Sequence, residues 1–123
     1  MSKFLLDTNF LCLPAKFRLD VFSELEKFGR PELYTLDVIV RELEKIVKAG
    51  GRDAVSAKVG LETVKKKKIK ILKSRGEKAD DELVRLAGEG YIVCTQDAGL
   101  MDRLRAQGHQ AITMRQKRYL VRV

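Results

Sequence analysis

Short apolar runs alternate along this chain with stretches whose apolar residues recur at helical spacing, and that alternation constrains the architecture more than any other feature. Residues 4–6, 33–36, 69–71, 91–95 and 111–114 read as five strands. After the first, a turn through Asp7, Thr8 and Asn9 leads to a helical start over 10–13 that Pro14 breaks. Val21, Phe22, Leu25 and Phe28 then make a stripe predicting one helix over 17–28, ended by Gly29 and Pro31. The third helix starts with Asp37 as N-cap and carries Ile39, Leu43, Ile46 and Val47 as far as Gly50 and Gly51. Further helical patterns cover 53–66, 80–89 and 99–106. Strands separated by helices predict an α/β fold, with a central parallel sheet of about five strands covered on both faces. A length of 123 residues suits one domain, residues 1–123.

Four acids sit against these apolar elements: Asp7 and Asp97 just past strands, Glu42 beside the inward stripe of a helix, and Asp80 at a helix start. In a parallel sheet, ligands bind outside the carboxyl ends of the strands. Asp7 and Asp97 belong there by position, and Asp80 points to the same edge. An ionised carboxylate near a core needs a counter-charge, and a cluster of them most simply takes a hard divalent cation. With Thr8, Asn9 and Thr95 as polar neighbours and no His or Cys among them, the donors suit Mg²⁺ or Mn²⁺ better than zinc, as one or two ions. Singly, each acid has an ordinary structural use: Asp7 or Asp97 as a cap, Asp80 or Asp81 complementing a helix dipole, and Glu42 in an ion pair.

The formal net charge of +8 is concentrated. Residues 45–78 carry twelve Lys or Arg against Asp53, Glu62 and Glu77, with a dense run at Lys65, Lys66, Lys67 and Lys68. Arg115, Lys117, Arg118 and Arg122 form a smaller basic cluster. A polyanion partner follows, nucleic acid before membrane, since no basic amphipathic helix with an aromatic face accompanies the charge. Beside a basic surface, an acidic metal pocket points to phosphodiester hydrolysis.

Other chemistries find no support. His109 is the only histidine and follows Gly108 near a helix end, which argues against a histidine-dependent triad. There is no Gly-x-Ser-x-Gly elbow and no phosphate-binding Gly-rich loop. Cys12 and Cys94 lie in apolar stretches, as buried thiols of a reducing compartment do. No apolar run approaches the roughly 20 residues that span a bilayer, and the opening residues lack a signal peptide's pattern, so a cytoplasmic location is expected. Asn9 is the only asparagine in a chain that is 34% charged, a bias resembling that of heat-adapted proteins.

The ordered set Asp7-Thr8-Asn9, Glu42 in a helix, Asp80 opening a helix that runs on to Ala87, and Thr95-Gln96-Asp97 after a strand resembles the PIN-domain family of metal-dependent ribonucleases. The resemblance covers nearly the whole chain. It implies a three-layer α/β/α sandwich and endonucleolytic cleavage of RNA. It also implies Asp7, Glu42, Asp80 and Asp97 as catalytic residues and Mg²⁺ or Mn²⁺ ligands, with Asp81 as an accessory or substitute ligand. Lys65, Lys66, Lys67, Lys68, Arg115 and Arg118 are the expected RNA contacts. Residues 37–45, the Ala79-Asp80-Asp81 segment and residues 118–121 are similar to the group that processes small-subunit ribosomal RNA, which implies single-stranded or structured rRNA and ribosome-assembly proteins as partners. The ribonuclease toxins of toxin-antitoxin pairs share the four acids, and their partner would be an antitoxin. Gln96 stands where Asn often precedes the last aspartate.

Homodimerisation through exposed apolar helix faces is compatible with such a domain. A haloacid-dehalogenase-like site would need a second Asp where Asn9 stands, and a receiver domain would need one where Leu72-Lys73-Ser74 is found. A non-catalytic RNA-binding scaffold is the alternative of a different class. Its acids would tolerate substitution by Asn or Gln.

Overall fold

A computed structural model describes residues 2–76 and 78–123. Its central sheet has the order β3-β2-β1-β4-β5-β6. The strands are β1 (Ser2–Leu6), β2 (Pro31–Leu36), β3 (Lys70–Leu72), β4 (Ile92–Cys94), β5 (Ala111–Arg115) and β6 (Tyr119–Arg122). The first five are mutually parallel, and β6 runs antiparallel to β5. The β1 strand is central because its Phe4, Leu5 and Leu6 are wholly buried, so both edges can be covered by neighbours. Leu5 registers with Tyr34 on one side and Val93 on the other.

Strand order reverses between β1 and β4. The chain steps outward through β2 and β3, then returns to the far side of β1 for β4 and β5. At such a switch point the connecting segments diverge to opposite faces and leave a crevice at the strand carboxyl ends. Helices α1 (Thr8–Leu11), α2 (Leu13–Phe17), α4 (Asp37–Ala49) and α5 (Arg52–Lys66) pack together as one layer. Helices α6 (Ala79–Ala87) and α7 (Ala98–Ala106) pack together as the other. The expected three-layer α/β/α architecture is therefore present. Gly60 permits its closest helix contact: a Cβ there would lie 3.3 Å from the Leu11 carbonyl oxygen, so α5 sits directly on α1.

Three local expectations are corrected. The break expected at Pro14 falls at Cys12, between α1 and α2, and Pro14 itself occupies the first turn of α2, where its missing N–H costs nothing. The single helix expected over 17–28 is divided by Arg18, which adopts φ 50°. A new helix, α3 (Val21–Leu25), begins under the Asp20 cap, and Glu26–Phe28 tightens into a 3₁₀ turn. Asp37 is not the N-cap of α4 but its first residue. Its Oδ1 accepts from Val38 N (2.8 Å), Ser74 N (3.0 Å) and Ser74 Oγ (2.5 Å), tying the start of α4 to the loop after β3.

The sheet also extends beyond the five expected strands. β6 returns through a turn in which Gln116 and Lys117 both have positive φ, with Arg118 N donating to the Arg115 carbonyl. Positive φ at both central positions gives the turn the twist that closes a hairpin. On the outer side of β6, Leu120 N donates to Glu24 of α3 (3.0 Å), which occupies one edge donor. Among the described residues, the exposed large apolar side chains are Val55 and Ile71, so apolar surface for self-association is confined to α5 and the β3 edge. No helix among them is long and apolar enough to cross a membrane.

Candidate active site

The switch point opens into a cleft of about 250 Å³ lined by Asp7, Thr8, Asn9, Glu42, Asp80 and Asp97, together with Cys12, Lys16 and Asp53. Asp7 leaves the end of β1 as the N-cap of α1, its Oδ1 accepting from Thr8 N (2.8 Å). Thr95, at the end of β4 and wholly buried, donates its hydroxyl to Asp7 Oδ2 (2.7 Å) and accepts from Asp97 N (3.1 Å). One hydroxyl therefore fixes the register of the two strand-end acids. Asn9 reinforces the junction, its Oδ1 accepting from Gln96 N (3.0 Å). Gln96 turns its own side chain away to β5, where its Oε1 accepts from Thr113 Oγ1 (2.8 Å) and Met114 N (2.6 Å).

Asp97 is the N-cap of α7, Oδ1 accepting from Leu100 N (3.1 Å). Space beside it is kept by Gly99, where a Cβ would come within 3.3 Å of that same oxygen. Glu42 projects from α4 one residue before the buried Leu43, and its Oε2 accepts from Thr8 Oγ1 (2.7 Å). The residue is exposed rather than inward-facing, so it forms the solvent-side rim of the cleft. Asp80 is half-buried in the first turn of α6.

Asp81 is directed elsewhere. Helical rotation turns it out of the cleft, and its carboxylate pairs with Arg103 of α7 at 2.9 Å with 60% of its side chain exposed. Glu82, the third acid of the same turn, is the one the helix buries, at 4% exposure. Its carboxylate accepts from the backbone N–H groups of Arg75 and Gly76 (2.8 Å to Gly76) and from Arg85 Nε (2.7 Å). Together with Asp37 it clasps the loop leading into α6, and so sets where Asp80 stands. Neither role was visible in the sequence, where Asp37 reads as an N-cap and Glu82 carries no assigned part.

Electrostatics mark the cleft as short of positive charge. Burial pushes the Asp7 carboxyl up to about 6 against the opposing hydrogen bonds from Thr95 and Thr8, with Asp80 and Glu42 adding repulsion. Asp80 is raised by its own burial and then by Asp97, against the opposing effect of Arg103 on α7. Among the described residues Asp7, Glu42, Asp80 and Asp97 form no ion pair. The cation lining the cleft is Lys16, and it lies 3.5 Å from Asp53. Sequence reasoning passed over both, because they are brought to the cleft only by α2 packing against the first turn of α5. The four acids ring the cleft rather than meet: among the described residues no three His, Cys, Asp or Glu side chains converge into a ready-made metal cage. Mutual repulsion disfavours such closure in a bare site. The donor set is nonetheless all oxygen, uncompensated and partly free to rotate, which fits a hard divalent ion.

The two expected basic regions separate. Arg115 and Arg118 flank the β5–β6 turn at the carboxyl end of the parallel strands, the end that carries the cleft. Lys65, Lys66, Lys67 and Lys68 close α5 just before β3 begins, at the opposite end of the sheet. His109 lines a separate depression with Tyr91 and Gly108.

Comparison with known proteins bears on the same elements. No curated protein matches the chain. It is similar to the solved structure of the PIN domain endonuclease Utp24, with 22% identity and a TM-score of 0.79 over 98% of this chain and 92% of that one. A domain of a functionally unknown protein from Methanocaldococcus jannaschii DSM 2661 is similar at 20% identity and a TM-score of 0.65, over 94% of this chain and 92% of that one. The model of the PIN-like domain matches residues 4–117, from the first buried residue of β1 to the β5–β6 turn, and the chain belongs to that family.

Proposed function

We propose that this protein is a Mg²⁺- or Mn²⁺-dependent endoribonuclease whose working cleft is formed by Asp7, Glu42, Asp80 and Asp97. The observation that carries the reading is that four carboxylates from separate elements line one cleft at the switch point of the sheet, and none of them forms a salt bridge among the described residues. Membership of the PIN-like family supports a nuclease-type activity. Likeness to an endonuclease of that fold supports cleavage within a chain rather than from an end.

Each residue has a part that follows from its placement. Asp7, held through both oxygens by Thr8 N and Thr95, is the rigid member of the ligand set. Glu42 and Asp97 are exposed, each with one carboxylate oxygen engaged, by Thr8 Oγ1 and Leu100 N, and one left for an ion, and Asp80 completes the wall contributed by α6. A divalent ion bound there supplies Lewis acidity, activating water and offsetting charge on the departing 3′ oxygen. The bare carboxylates repel a phosphate backbone, so productive RNA binding requires that the acids be neutralised first. Thr95 and Asn9 serve as positioning residues by holding the ends of β1 and β4 together. Asp81 is engaged by Arg103 and is left out of this set.

Ribosomal RNA is the substrate class we favour. The similarity of residues 37–45, 79–81 and 118–121 to the rRNA-processing group supports it. Incubating the protein with single-stranded and structured RNA tests the activity: internal cuts are expected with Mn²⁺ or Mg²⁺ and none in EDTA. Undiminished cutting in EDTA, or no cutting with either ion, would overturn the reading.

A further inference from the structure

The acidic cleft has a basic exit beside α2. Lys16 lines the cleft from α2, and its ion pair with Asp53 is long (3.5 Å) and solvated, with 42% and 65% of the two side chains exposed. Such a pair contributes little and exchanges readily for a phosphate oxygen. The next residue, Phe17, is half-buried and packed against the core. Lys117 Nζ lies 5.6 Å from the centre of that ring. Lys117 is itself the second positive-φ residue of the β5–β6 turn, between Arg115 and Arg118. Cleft, cation, aromatic ring, cation and basic turn therefore follow one another without a gap, all at the carboxyl end of the sheet.

Alternating cations and an aromatic face are what a flexible polyanion with stackable bases needs: lysines follow the phosphates and a ring takes a base regardless of sequence. A folded partner protein has no comparable reason to require the ring and both charges in this order. We infer that single-stranded RNA leaves the cleft at Lys16 and runs over Phe17 and Lys117 onto the tip of the β5–β6 hairpin. The inference rests on the proposed nuclease reading for its choice of RNA. It assigns to Lys16, Phe17 and Lys117 a substrate-binding role that the four acids do not supply. It also accounts for the hairpin: β6 and its positive-φ turn bring the basic tip against α2.

Binding of a fluorescently labelled single-stranded RNA to the full chain, in Mn²⁺ and over a range of salt, tests this. Asp97→Asn is used as background to keep the probe intact. Lys16→Gln and Lys117→Gln should each weaken binding several-fold and lower the logarithmic salt slope by about 0.7, the value for one lost phosphate contact on a single strand. Lys16→Arg should restore the slope. Phe17→Leu, which keeps an apolar side chain in the same packing, should weaken binding about fivefold or more with the slope unchanged, because stacking releases no counterions. Lys48→Gln, at the far end of α4, should change neither. Slopes unchanged in both lysine variants would overturn the track. So would photo-crosslinks from 4-thiouridine RNA that avoid the peptides containing Phe17 and Lys117, a readout in the unmutated track that no folding defect can mimic. Cleavage by wild-type protein with unchanged slopes removes the track and leaves the nuclease. Absence of cleavage with reduced slopes does the opposite.

Discussion

Thr95 donates its hydroxyl to Asp7 at 2.7 Å across 88 residues of sequence, and that one bond joins the ends of β1 and β4 where the strand order reverses. The same oxygen accepts from Asp97 N, so two cleft acids share a single buried anchor. The inner wall of the cleft is thus tied to the sheet, while Glu42 and Asp97 form its exposed rim.

Asp7 should make stability depend on pH and on metal. Its carboxyl is raised to about 6, above the value of roughly 3.9 in an unfolded chain. Between about pH 4 and 6 the folded state therefore keeps a proton that the unfolded state has released, so without metal, stability falls as pH rises through that window. Asp7→Asn should remove the dependence, so that the metal-free variant gains on wild type by about 2 to 3 kcal/mol between pH 4 and pH 7, from a starting point lowered by the hydrogen bond that its amide group gives up. Denaturant unfolding in EDTA reads both. Mn²⁺ should raise the wild-type midpoint at neutral pH and lose its effect below about pH 6, where protons compete for Asp7. The Asn variant should lose most of that response.

Asp80 and Asp81 should separate cleanly. Asp80 lines the cleft, whereas Asp81 is held by Arg103 on the outside of α6. Asp80→Asn should lower RNA cleavage by about a hundredfold or more. Asp81→Asn should leave cleavage within a few-fold and cost less than about 1 kcal/mol, since it breaks only an exposed ion pair. Parallel cleavage assays on the two variants decide it.

Glu82→Gln should destabilise the protein by about 2 to 3 kcal/mol, because the new amide group faces the donors that the buried carboxylate now accepts. The Arg85 hydrogen bond holds the Glu82 carboxyl below its usual range, so the stability it contributes is present above about pH 4.5 and lost as pH falls. The variant should also raise the metal concentration needed for cleavage, since the loop that sets Asp80 is loosened. Unfolding curves and metal titrations of activity check the two effects.

Much of this was legible from residue order. Runs such as Phe4-Leu5-Leu6 and Ile92-Val93-Cys94 can be satisfied only between neighbouring strands, and the acids that follow them fall at the strand ends for the same reason. Helical spacing favoured Asp80, three positions before Leu83, but left Asp81 as an accessory or substitute ligand, because its contact with Arg103 joins two distant segments. What escaped notice depends on contacts between distant segments. The last strand was hidden because Gln116 and Lys117 adopt positive φ without the Gly or Asn that ordinarily signals such a turn. The break at Arg18 was masked by an apolar stripe that continues in phase across it. The part played by Glu82 has no local signal because the N–H groups it accepts from belong to the loop after β3, and Lys16 with Asp53 reach the cleft only when α5 folds back on α2.

Anomalous diffraction from crystals soaked in Mn²⁺ at neutral pH shows whether Asp7, Glu42, Asp80 and Asp97 together hold the catalytic ion. A Mn²⁺ peak is expected within bonding distance of carboxylate oxygens of Asp7 and at least two of the other three, at about 2.0 to 2.3 Å, with the peak abolished in Asp97→Asn. A peak on other residues, or a cleft that stays metal-free at Mn²⁺ concentrations supporting RNA cleavage, would contradict that assignment.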